Sequence, residues 1–168
     1  MNEIIIILSK WFHLLGTVIW IGAMILLLFV IIPSAKEVFG STPEFKKLLK
    51  SIGKRMTFLV NIAIIIIIIS GILLAVSGSN SEVREEHSFG ESLIFMGKIV
   101  LASIMVIIHF SRNKIIAPIL EKMAAKEPTS KSFIRLQKVQ MDLVWVNLTL
   151  GLTYRILRSF FPRKFALV

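Results

Sequence analysis

The chain has 168 residues, 55% of them hydrophobic, a formal net charge of +10 and no cysteine. Its mean hydropathy is +0.81. The apolar residues fall in nearly uncharged blocks, and a chain of this size has too little interior to bury such runs on every face, which excludes a water-soluble globule; the absence of cysteine excludes thiolate metal sites, c-type haem attachment and a disulfide scaffold.

Taken in order, the first block covers residues 4–32. A span needs about 20 mostly apolar residues to cross about 30 Å of hydrocarbon. The block has no basic leader and exceeds the ~7–15 residues of a signal-peptide core, so it is expected to stay as a permanent span, about 4–33, closed by Pro33. Inside it stands His13, followed on the same stripe by Gly16, Thr17 and Trp20, with Met24 eleven residues on. Next, Thr42-Pro43-Glu44 reads as a helix start. Phe45, Leu48, Leu49 and Ile52 form one apolar stripe, so the second helix is expected to extend beyond the bilayer before its span at about 57–77. Ser77-Gly78-Ser79-Asn80-Ser81 is a run of turn formers that ends it.

The third span, about 92–112, carries Lys98 and His109, again eleven residues apart, with Ala102 and Met105 between them. Pro118 is expected to kink its end, and Glu127-Pro128-Thr129-Ser130 to turn the chain back. The fourth span, about 139–160, includes Arg155 and Arg158, whose long side chains reach a headgroup layer by snorkelling. Short connections then predict an all-α fold: a four-helix, up-down-up-down integral membrane bundle forming one domain over residues 1–168.

Charge placement sets the orientation. Segment 34–56 carries Lys36, Lys46, Lys47, Lys50, Lys54 and Arg55; segment 112–138 carries Arg112, Lys114, Lys122, Lys126, Lys131, Arg135 and Lys138. The loop between spans two and three has Arg84 against Glu82, Glu85, Glu86 and Glu91. The positive-inside bias puts 34–56 and 112–138 in the cytoplasm and both termini outside, in a bacterial-type plasma membrane, although Arg155, Arg158, Arg163 and Lys164 pull the other way. Basic residues that flank spans meet anionic headgroups, so no nucleic-acid partner is expected. The expected partner is the lipid bilayer, with a homo-oligomer of spans left open.

Polar groups inside the spans must find partners, because water is absent there. Eleven residues make three helical turns and rise about 16.5 Å. With helices one and three running in the same direction, His13 and Lys98 fall at one outer level, joined by Arg155. Met24, Met105 and His109 fall at an inner one, with Asp142 and Asn61. His13 reads either as a histidine hydrogen-bonded to a neighbouring helix or as a ligand to haem iron or copper, imidazole being the commonest metal ligand. Lys98 reads as a snorkelling lysine or as a desolvated amine able to ligate or move protons. The methionines read as core filler or as soft Cu(I) ligands. His87, in the acidic loop, reads as solvated. No Ser/His/Asp set, P-loop, GxGxxG or HExxH is present, so hydrolysis and nucleotide chemistry have no support.

The run Trp11-Phe12-His13-Leu14-Leu15-Gly16-Thr17-Val18-Ile19-Trp20-Ile21-Gly22 resembles helix one of the copper-resistance protein D (CopD) domain, where a His is followed by Trp-x-Gly. Ser70-Gly71-Ile72-Leu73 and Met96-Gly97-Lys98-Ile99-Val100-Leu101-Ala102 resemble its second and third helices. The pattern is also similar to the HemJ-type membrane protoporphyrinogen oxidase, in which a helix-one His and a helix-three Lys are implicated in binding b-type haem. Val139-Gln140-Met141-Asp142 stands where that oxidase has an Asn-Glu-x-Pro-like element, which favours the CopD-like label. The resemblance implies a metal centre, b-type haem or copper, at helices one and three. For haem, His13 and Lys98 are the implied ligands, with Arg155 as a third cofactor-binding candidate. For copper the candidates are His13, Met24, Met105 and His109. Quinone, a porphyrinogen or a copper-carrying protein would then be the redox or transfer partner. A non-catalytic scaffold subunit is the remaining reading.

Overall fold

The computed structural model describes the backbone of residues 3–79, 89–127 and 129–160, with all side chains there except those of residues 78–79, 89–95, 98 and 154–160. Every regular element among these is helical. The helices are α1 (Glu3–Leu26), α2 (Ile32–Phe39), α3 (Pro43–Ser79), α4 (Phe89–Ser111), α5 (Ala117–Lys126) and α6 (Lys131–Phe160). A π turn, Leu27–Ile31, joins α1 to α2, and a second, Arg112–Ile116, joins α4 to α5.

Pro33 therefore does not close the first helix, contrary to the sequence-based expectation; the rod continues to Phe39. A proline lacks an N–H, and its ring collides with the carbonyl four residues earlier. The π turn widens the helix just before that point, with the Ile32 N–H bonded to the Leu27 carbonyl, and the chain passes the proline without breaking. Pro118 has the same setting, and the expected disturbance there is this π turn. What does stop the first rod is Gly40. Its φ of 61° lies in the left-handed region open to glycine, and its N–H bonds the Lys36 carbonyl at 2.9 Å. Thr42 then caps α3, its hydroxyl accepting the Phe45 N–H at 3.4 Å, with Pro43 at the first helical position.

Three helices are long and apolar enough to cross a membrane: Glu3–Phe39, Pro43–Ser77 and Ile99–Lys126. At 37 residues, the first would be about 55 Å long, against about 30 Å of hydrocarbon, so its α2 end projects beyond the bilayer or the rod tilts. The 30-residue α6 has Lys131, Arg135, Lys138 and Asp142 in its first half, and it is not among the three.

The chain divides into two compact units, Met1–Glu86 and His87–Val168. In the first, α1 lies antiparallel against α3. The buried residues of α1 are Ser9, Gly16, Trp20, Ala23 and Met24, close to the seven-residue repeat of a packed helical seam. Small residues on that seam let the backbones approach, as is usual between membrane helices. At Gly16 an added Cβ would lie 2.8 Å from Ile67 Cγ1 and 3.0 Å from the Ala63 carbonyl oxygen. Across the seam, Val60, Ala63, Ile64 and Ser70 of α3 are buried. In the second unit α4 and α5 pack on α6, and the buried positions include Met105, His109, Leu120, Val144, Asn147 and Leu148.

The two units repeat one plan. Both π turns, and the prolines that follow them, are displaced by 85 residues. So are the buried pairs Trp20 and Met105, Met24 and His109, and Ala35 and Leu120. On the returning helices the displacement is 84, matching buried Val60, Ala63 and Ile64 with Val144, Asn147 and Leu148. Each unit is a helical hairpin whose first rod is widened by a π turn ahead of a proline.

Candidate functional site

His13 sits in the α1–α3 seam, half-buried, one turn before Gly16. Its Nδ1 is 3.2 Å from the Ile67 carbonyl oxygen and 3.1 Å from Ser70 Oγ. The Ser70 hydroxyl has one proton, and it donates to the Ile66 carbonyl at 2.6 Å. Neither oxygen then has a proton to give the ring, so Nδ1 carries the hydrogen and donates to both. In a neutral ring this selects the Nδ1–H tautomer, which leaves the lone pair on Nε2. No hydrogen-bond partner of Nε2 is found among the described residues.

Gly71 completes the cradle. A Cβ there would lie 3.5 Å from His13 Cε1, so the ring rests directly on the α3 backbone. Thr17, one turn along, returns its hydroxyl to the His13 carbonyl at 2.7 Å, which satisfies it within the helix. Histidines that ligate metals are commonly held by the other nitrogen in this way, a carbonyl orienting the ring and raising the basicity of the second nitrogen.

The other sequence candidates divide between the two units. Met24, of the first, is buried on α1. Met105 and His109, of the second, are buried one turn apart on α4. Lys98 and Arg155 lie on α4 and α6, but their side chains, like the whole of His87, are outside the described residues. His109 is partnered within its own helix, by Asn113 Nδ2 donating to Nε2 at 3.1 Å. Asp142, expected as an inner-level partner for a base, is exposed on α6. Asn61, of the same expected layer, is half-buried on α3. No three His, Cys, Asp or Glu side chains converge among the described residues.

Sequence reasoning placed His13 and Gly16 on one stripe but did not link His13 to Ser70, Gly71 and the Ile67 carbonyl. The signal was the register of an antiparallel hairpin: with Gly16 against Ala63 and Ile67, residue 13 must meet 67, 70 and 71. Arg112 and Asn147, to which the sequence assigned no site role, have Nε and Oδ1 buried without a hydrogen-bond partner among the described residues.

Compared with known protein families, characterised proteins and solved structures, the chain matches none.

Proposed function

We propose that the chain is a CopD-like integral membrane protein in which His13 ligates a metal centre, b-type haem or copper. The observation that carries this reading is the His13 cradle: Nδ1–H committed to the Ile67 carbonyl and Ser70 Oγ, with Nε2 left as a lone-pair donor inside an apolar helix.

In this reading the chain forms four spans running up-down-up-down in a bacterial-type plasma membrane, with segments 34–56 and 112–138 on the cytoplasmic side and both termini outside. Its support is the three long apolar helices and the concentration of basic residues in segments 34–56 and 112–138 of the sequence. Lys98 and Arg155 are the proposed companions of His13, as second ligand and as counter-charges to a carboxylate-bearing cofactor. Lys98 occupies the position in the second hairpin that His13 occupies in the first. A haem so ligated supplies one-electron chemistry at a potential set by axial ligand and burial. The chain's own share is to orient the imidazole, exclude water with the isoleucine-rich face of α3, and exchange electrons with a membrane-soluble quinone or porphyrinogen. With a porphyrinogen as substrate, the activity would be the HemJ-like oxidation.

The copper reading rests on buried Met24 and Met105, soft thioethers of the kind that Cu(I) takes, with His13 and His109 as the imidazole candidates. An optical spectrum and a metal analysis of detergent-purified protein separate the readings. A Soret band that His13→Ala removes supports haem; colourless protein that retains copper, and loses it on Met24→Leu, supports copper. Protein carrying neither after loading with haem or Cu(I), and indifferent to His13→Leu, refutes both and leaves the scaffold reading.

A further inference from the structure

Because the two hairpins follow one plan, they can be compared position by position, and the second departs from the first at one place with a clear chemical sense. The first π turn opens with Leu27-Leu28-Phe29, and Met24 stands one turn before it. The second opens with Arg112-Asn113-Lys114, and His109 stands one turn before it. The first hairpin shows that this turn needs no polar residue to form.

The polar set is also incompletely satisfied. His109 is only 4% exposed and takes a hydrogen bond from Asn113 Nδ2 at 3.1 Å. Arg112 Nε is buried and has no hydrogen-bond partner among the described residues. No ion pair joins Arg112 to a described carboxylate, and Asp142 on the facing helix is exposed. The Arg112 side chain as a whole is half-buried, and a guanidinium largely withdrawn from water without a counter-charge is disfavoured, so an anion is the partner it would take at its exposed end. Arg112 follows directly on the apolar length of α4, and with residues 89–111 as the buried length the proposed topology would bring it to the level of one leaflet's phosphates. The planar fork of arginine suits a phosphate.

We propose that Arg112 and Asn113, backed by His109, form a phosphate-binding site on the second π turn that holds the headgroup of an anionic phospholipid. It uses no group of the His13 cradle, although His109 is also a ligand candidate in the copper reading. The first hairpin lacks it, because Leu27 and Leu28 stand at the equivalent positions.

The test is native mass spectrometry of the full chain in detergent with added phosphatidylglycerol, phosphatidylcholine or inorganic phosphate. The wild type should retain phosphatidylglycerol over phosphatidylcholine. Arg112→Leu restores the first hairpin's residue and should keep the fold while cutting retention about tenfold, the loss of one charge-assisted contact. Arg112→Gln serves if the leucine variant does not fold, with the same expectation. Lys114→Phe removes an equal charge from the same turn and should leave retention within about twofold of wild type, as its exposed ammonium is screened by solvent. Equal losses for the Arg112 and Lys114 variants would overturn the proposal in favour of diffuse attraction. Displacement of the lipid by millimolar inorganic phosphate would overturn it in favour of a free-anion site, and equal retention of the two lipids would show that no anion is read.

Discussion

The His13 imidazole owes its orientation to two groups on the facing helix, and they contribute differently. The Ile67 carbonyl is backbone and cannot be removed by substitution; Ser70 Oγ can. Ser70→Ala should leave the Nδ1–H tautomer in place but loosen the ring. Outer-shell changes of this kind weaken metal affinity about 10–100-fold, and the effect here should fall near the lower end because one of two acceptors remains. Titration of the purified variant with haem or Cu(I) reads this directly, and affinity equal to wild type would show that Ser70 does not position the ring. At Gly71 a methyl would make ordinary contact with His13, so Gly71→Ala should bind nearly normally, while Gly71→Leu should displace the ring and abolish binding. His13 itself was legible in the sequence, as a lone imidazole in an apolar run. Its partners were not, because a serine among isoleucines takes on a role only once the hairpin register brings residue 70 opposite residue 13.

At the scale of elements, the close approach of α1 and α3 depends on Gly16. An alanine there would press on both a side chain and the Ala63 carbonyl, the second of which cannot rotate away. Gly16→Ala should therefore push the helices apart and destabilise the hairpin by about 1–3 kcal/mol, as overpacking of a tight seam does. Gly22, where nothing lies within 4 Å of an added Cβ, is the control. Gly22→Ala should be neutral, or stabilising by up to about 1 kcal/mol through helix propensity. Denaturation in mixed micelles measures both, and equal effects would contradict the seam. The apolar runs of the first three helices were readable from composition, and so was the helix start at Thr42-Pro43. The passage of the chain through Pro33 was not. A proline after an apolar run ordinarily marks a helix end, and a π turn that relieves the clash leaves no mark in leucine, phenylalanine, valine and isoleucine.

For the whole molecule, the all-helical, membrane-compatible character followed from hydropathy alone. The repeat of one hairpin plan did not, because the halves share little beyond the spacing of Pro33 with Pro118 and Pro43 with Pro128. What persists is which positions are buried, and burial is a property of the folded state. The repeat does explain one regularity of the sequence: the eleven-residue spacings His13 to Met24 and Lys98 to His109 are the same two positions in each hairpin. The proposed topology puts both hairpin turns on the cytoplasmic side. The chain has no cysteine of its own, so single cysteines report cleanly. Cysteines at Ser41 and Thr129 should both be modified by an impermeant maleimide only from the cytoplasmic face, and one at Ser81 only from the opposite face. Labelling of Ser41 and Thr129 from opposite sides would contradict the topology.

The most direct test of the His13 ligand is the haem and copper content per chain of wild type, His13→Ala and Gly22→Ala, purified in parallel at equal folded yield. A stoichiometric metal centre in wild type and Gly22→Ala, lost from His13→Ala, is the predicted result. Equal content in all three proteins would contradict the account.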